Sequence, residues 1–212
     1  MLDFSIAGPI VGLFSVADAA LHLYLDVQKS RFTGERVFTE PRTNIPSSAL
    51  GAASLSTILA FCVVFLIPVT WSYGAESEFI LLLIPLFDPA VSVWFLGLLL
   101  LIIGIILHGW ARFVRRQMAS SWSMSNGHDL IEIGPYSRVR HPSYTSYFLS
   151  FAGLILMLPS MVTFVMILGY PGYYLISLEE ERHLILHFGE QYTNYMSRTG
   201  RFIPSLRSAS SH

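Results

Sequence analysis

The chain has 212 residues, 53% of them hydrophobic and only 13% charged, with mean hydropathy +0.55 and a formal net charge of -1. A soluble domain carries about a quarter charged residues, so this composition excludes an ordinary soluble domain and predicts an all-α polytopic membrane protein. The balanced charge and the absence of a basic run interleaved with aromatics exclude a nucleic-acid surface, and the single cysteine, Cys62, excludes an internal disulfide.

A spanning helix needs about 20 mostly apolar residues. The first such stretch runs from Phe4 to Leu25 and contains Asp18 and His22. It lacks a basic leader and a small-residue cleavage site, so it reads as a retained helix. The second runs from Ser48 to Trp71. The stretch 79–87, FILLLIPLF, is too short to span and ends at Asp88-Pro89, which predicts an interfacial or re-entrant piece. The third span runs from Ala90 to Trp110.

A polar segment, 111–141, follows. Tyr144 to Leu158 and Met161 to Leu178 are apolar again, separated by Pro159-Ser160. Proline breaks a helix, so this region predicts a tight helical hairpin, with each arm short for a full span. Beyond it, Glu181, Ile185, Phe188, Tyr192 and Tyr195 recur at helical spacing, which predicts an amphipathic interfacial helix over 179–195. Gly189 weakens its continuity. Residues 205–212 read as a disordered tail. The chain thus divides into N-terminal transmembrane helices (1–110), a core with the hairpin (111–204) and the tail, with about five transmembrane helices in all.

Lys29, Arg31, Arg36 and Arg42 precede the second span, and Arg112, Arg115, Arg116, Arg138 and Arg140 follow the third, whereas 72–88 holds neither lysine nor arginine. The positive-inside rule then places 28–43, 111–141 and the C-terminal polar region in the cytoplasm. Both polar clusters of the second half fall on one membrane face.

Those clusters carry the chemistry. Polar groups at membrane depth are functional candidates by default. In GPYSRVRHPSY, Gly134 to Tyr144, Pro142 fixes the start of the next helix. Arg140 and His141 just before it make a cradle for a carboxylate or phosphate, or are simply positive flanking charge. Glu179, Glu180 and Glu181 are either a solvated helix start or a carboxylate site for ribose hydroxyls, an ammonium or a sulfonium. Tyr136, Tyr144, Phe188, Tyr192 and Tyr195 are either an aromatic belt or stacking partners for a base and a cation. His22, His108, His128, His183 and His187 show no metal-ligand spacing, so no metal is expected. The chain has no GxGxxG, Walker or GxSxG motif.

Taken together, Trp122-Ser123, GHDLIEIGPYSRVRHPSY, the hairpin, LEEERHLILHFGEQY and RFIP resemble, in this order over 115–204, the isoprenylcysteine carboxyl methyltransferase family. The resemblance implies a helical membrane enzyme whose C-terminal half wraps S-adenosyl-L-methionine at the cytoplasmic face. It also implies a lipophilic acceptor entering from the bilayer, such as the C-terminal carboxylate of a prenylated cysteine. It places cofactor contacts at His128, Asp129, Leu130, Ile131, Tyr136, His141, Pro142, Ser143, Tyr144 and Glu180, with Arg140 and Glu180 as the residues closest to catalysis. Ser146 stands where the family often has glycine, and Ile176 where it has an arginine that handles the substrate carboxylate. In a eukaryote the resemblance implies the endoplasmic reticulum membrane. A membrane NADPH-dependent sterol-type reductase and a non-enzymatic scaffold are the competing readings.

Overall fold

The computed structural model describes residues 4–33, 44–73, 85–115 and 130–205. Among them the secondary structure is helical: α1 (Phe4–Thr33), α2 (Ser47–Tyr73), α3 (Val91–Arg115), α4 (Pro142–Met157), α5 (Met161–Val165), α6 (Gly169–Phe188) and α7 (Glu190–Arg198). Short 3-10 turns cover Gly134–Ser137 and Met166–Leu168. Four segments are long and apolar enough to cross a membrane: Ala7–Gln28, Ser47–Val69, Val91–Arg115 and Met161–Phe188. Leu13, Leu23, Ile58, Leu99 and Ile106 point outward and exposed, a surface that requires lipid rather than water. This is an integral membrane protein. The expected fifth crossing is α4, whose 16 residues reach about 24 Å, short of a hydrocarbon core of about 30 Å.

Two differences from the sequence reading have clear causes. First, α3 runs five residues past Trp110. Its polar end is not solvated, because Arg112 is buried and paired with Asp26 on α1. Second, no single amphipathic helix covers 179–195. Glu179 to Phe188 continue the spanning helix α6, and the break falls at Gly189, which adopts φ 55° and ψ -124°. The acidic triplet therefore lies on the wall of a spanning helix rather than at a helix start.

The hairpin itself forms as predicted. At its turn Ser160 and Thr163 make a reciprocal capping box, and Pro159 accepts a backbone hydrogen bond from Leu86 at 2.8 Å. Only 85–87 of the predicted interfacial piece 79–87 lies within the described residues. The two arms of the hairpin pack outward on different partners, α4 on α3 and α6 on α2.

Both contacts rest on glycine. A Cβ on Gly97 would sit 2.7 Å from the Gly153 carbonyl oxygen, and one on Gly153 2.7 Å from that of Gly97. A Cβ on Gly172 would meet the Ala53 nitrogen at 2.9 Å and the Ala49 oxygen at 3.0 Å. Helices in lipid associate by such close backbone approach, since lipid tails offer no hydrophobic penalty to escape. Between the arms the contact is aromatic: Tyr144, Tyr147, Phe148 and Phe151 of α4 meet Tyr170 and Tyr173 of α6.

Candidate active site

The site begins with a sharp entry into α4. Gly134 takes φ 61°, and a Cβ there would strike Val114 Cγ2 at 2.8 Å. Only glycine allows the chain to turn this close against the end of α3. Pro135 opens the 3-10 turn, and Pro142 opens α4 one residue after His141. Between them the strand-like stretch 138–141 pairs with the chain returning after α7. Arg140 N donates to Gly200 O at 2.9 Å, His141 N to Arg201 O at 3.1 Å, and Gly200 N to Arg138 O at 3.1 Å.

This pairing turns Arg140 and His141 toward α6, where Glu180 and Glu181 wait. Glu181, 3% exposed, is saturated: Arg140 Nε donates to Oε1 at 2.8 Å, Arg201 Nη2 to Oε2 at 2.6 Å, and His141 Nε2 lies 3.2 Å from Oε1. Arg140 also donates to the carbonyls of Met196 and Thr199, so its guanidinium is committed to the frame.

Glu180, 4% exposed, is held differently. The Tyr144 hydroxyl donates to its Oε1 at 2.8 Å, and His141 Nδ1 lies 3.3 Å from its Oε2. His141 therefore spans both carboxylates. Burial works against its charge, but the hydrogen bonds to Glu180 and Glu181 prevail and raise its pKa above the usual 6.5. Arg201 is also raised by its bond to Glu181.

The walls are aromatic. Tyr144 stacks on His141 with centroids 5.4 Å apart and planes 3° from parallel, and it meets Tyr173 at 4.6 Å. Tyr195 donates its hydroxyl to the Tyr136 carbonyl at 2.6 Å, which ties α7 to the 3-10 turn. Thr145 donates to Phe202 O at 2.8 Å.

Of the residues singled out in the sequence, His141, Tyr144 and Glu180 meet directly, and Arg140 joins them through Glu181. Pro142 and Ser143 form the first turn of α4, and Tyr136 is joined to the cluster through Tyr195. Leu130 and Ile131 lie on the irregular lead-in to the 3-10 turn, and Arg138 stays exposed. His128, Asp129 and Trp122-Ser123 lie outside the described residues. Sequence reasoning did not find Glu181 as the structural carboxylate, nor the part of Arg201. One signal was available: two arginines and two adjacent glutamates on one membrane face require pairing if buried.

A carboxylate with only neutral or shared partners, set beside parallel aromatic faces, fits a ligand that is cationic and carries hydroxyls.

Residues 92–191 match the family described as phospholipid methyltransferase. Among solved structures the chain is similar to a eukaryotic intramembrane Ras methyltransferase, isoprenylcysteine carboxyl methyltransferase. The two are 20% identical, with a TM-score of 0.45, over 74% of this chain and 50% of that one. This chain spans about half the length of that protein. Among curated proteins none matches significantly.

Proposed function

We propose, from the match of residues 92–191 to the phospholipid methyltransferase family, that the chain is an integral-membrane methyltransferase that takes its methyl group from S-adenosyl-L-methionine and gives it to a lipophilic acceptor. The observation that carries the reading is the Glu180 cluster. Two segments of the matched region, 140–144 and 180–181, bring His141, Tyr144 and Glu180 into hydrogen-bonding contact.

When bound, the cofactor supplies an electrophilic sulfonium methyl that a nucleophile takes in one displacement. Residue chemistry on the methyl is then unnecessary; the protein positions and dries. Glu180 binds a ribose hydroxyl or the amino group. Tyr144 and Tyr136 line the pocket. His141 holds Glu180 in place, and Arg140 acts one step back, locking Glu181 and the returning chain. Leu130, Ile131, Pro142 and Ser143 supply backbone edges, and His128 and Asp129 complete the set. Fixed geometry of this kind is able to supply about 7–11 kcal/mol of rate acceleration.

The acceptor enters from the bilayer. Ile176, in the position that would face a carboxylate acceptor by resemblance, is buried in the core and brings no charge. A prenylated-cysteine carboxylate and an amino-headed lipid are therefore the two acceptors to compare. The site faces the cytoplasm in this reading.

The test is binding of S-adenosylmethionine and S-adenosylhomocysteine to the chain in nanodiscs, with NADPH alongside. Micromolar affinity for the sulfur nucleotides, falling at least tenfold in Glu180→Ala, is expected. Unchanged affinity in that variant, or preference for NADPH, overturns the assignment.

A further inference from the structure

A second polar cluster lies on the other side of the α4 aromatic wall, inside the membrane. Asp18 and His22 sit one turn apart on α1, and His108 approaches from α3. Asp18 Oδ2 lies 3.3 Å from His108 Nδ1 and 3.6 Å from His22 Nδ1. The two imidazoles stack with centroids 4.6 Å apart. Nitrogen and oxygen atoms from all three side chains fall within 4.8 Å of one another. His108 is oriented from behind, since its Nε2 lies 3.2 Å from the Tyr147 hydroxyl.

Asp18 Oδ1 is buried and has no hydrogen-bond partner among the described residues. Gly109 is packed so closely over it that a Cβ there would lie 3.1 Å away. A carboxylate with one orphaned oxygen at membrane depth is costly, and two stacked imidazoles cannot both carry the balancing charge without repelling each other.

We propose that Asp18, His22 and His108 bind a divalent transition metal ion, with zinc the best fit to a two-histidine, one-carboxylate set. One divalent ion would neutralise Asp18 while both imidazoles stay neutral. Tetrahedral coordination at bonds of about 2.0–2.1 Å places ligand atoms about 3.3 Å apart; the two carboxylate–imidazole separations, 3.3 and 3.6 Å, lie near that value, and the ion would draw His22 Nδ1 away from the Asp18 backbone carbonyl that it now meets at 2.9 Å. Tyr147 then occupies the place of the outer partner that fixes a ligating histidine's free nitrogen. Three protein ligands leave a fourth position, and it opens into a cavity of about 320 Å³ walled largely by Ala60, Phe61, Val64, Phe65, Ile105 and Phe151. The exchangeable ligand is thus the polar end of an apolar molecule. The sequence alone did not point here, because His108 stands 86 positions beyond His22 and joins it only through the α1–α3 contact.

The test uses the full chain in nanodiscs, purified with a tag free of histidine, stripped with chelator and reloaded with Zn²⁺ or Co²⁺. About one metal ion per chain by mass spectrometry is expected, with visible absorption bands of four-coordinate Co²⁺. The ion is lost in His22→Ala and His108→Ala and kept in His183→Ala. A wild-type chain that retains no ion after loading overturns the proposal whatever the variants do. So does an ion that persists in the His22→Ala/His108→Ala double variant. Neither outcome depends on S-adenosylmethionine binding.

Discussion

Glu180 and Glu181 are neighbours in sequence with opposite tasks. Glu181 is closed in by Arg140, Arg201 and His141; Glu180 keeps its carboxylate beside the aromatic wall. Removing one member of a buried ion cluster leaves the others uncompensated and costs about 3–5 kcal/mol. Glu181→Ala, which strands two arginines, should therefore lower the thermal unfolding midpoint in nanodiscs sharply, whereas Glu180→Ala, which leaves His141 its bond to Glu181, should lower it less and abolish cofactor binding. Tyr144→Phe removes one hydrogen bond to a charged group, about 1.5–3 kcal/mol, and should weaken S-adenosylhomocysteine binding by roughly ten- to a hundredfold. His141 gives a pH signature. Its folded pKa lies above its unfolded value, so its contribution is whole below about pH 6.5 and is lost as pH rises through the folded pKa. The midpoint should fall on going from pH 6.5 upward, and His141→Gln should flatten that fall. The sequence showed which residues were chemical, because charges beside apolar runs need a reason. It did not separate the structural glutamate from the binding one, since that depends on which rotamer faces Arg201 across a chain reversal.

At the level of elements, the hairpin was legible from Pro159-Ser160, and the spans from their apolar length. The helix ends were not. α3 outlasts its apolar run because Arg112 finds Asp26, and α6 carries its glutamates inside because the break waits for Gly189. Glycine spacing in α3 and α4 reports a contact only once the partner is known. Gly153→Leu should force α3 and α4 apart. Overpacking of this kind costs about 1–3 kcal/mol, and more is expected where the obstacle is backbone on both sides. The readout is thermal unfolding together with loss of binding at the α4 entrance. A stop codon after Arg198 removes Gly200 and Arg201 and should abolish S-adenosylhomocysteine binding while the spans still insert.

For the whole molecule, the orientation inferred from arginine placement is open to direct test. In a Cys62→Ser background, a cysteine at exposed Ser197 should react with a membrane-impermeant maleimide only from the cytoplasmic side. One at Leu86, next to the hairpin turn, should react only from the opposite side; the reverse pattern would refute a cytoplasmic site. Overall membrane character was legible because composition sums over the chain. The number of crossings was not, because α4 is apolar along its length yet too short to be counted by length alone.

The backbone pairing of 138–141 with 199–202 also orders events in time. Arg140 and His141 emerge from the ribosome some sixty residues before Gly200 and Arg201, and all the spans precede those last partners. Until the closing segment arrives, Glu181 has only part of its charge balance, and α6 carries two carboxylates toward lipid. Synthesis paused short of Gly200 would leave a chain that is inserted but unfinished, and quality-control proteases that recognise exposed intramembrane charge would have a defined window in which to remove it.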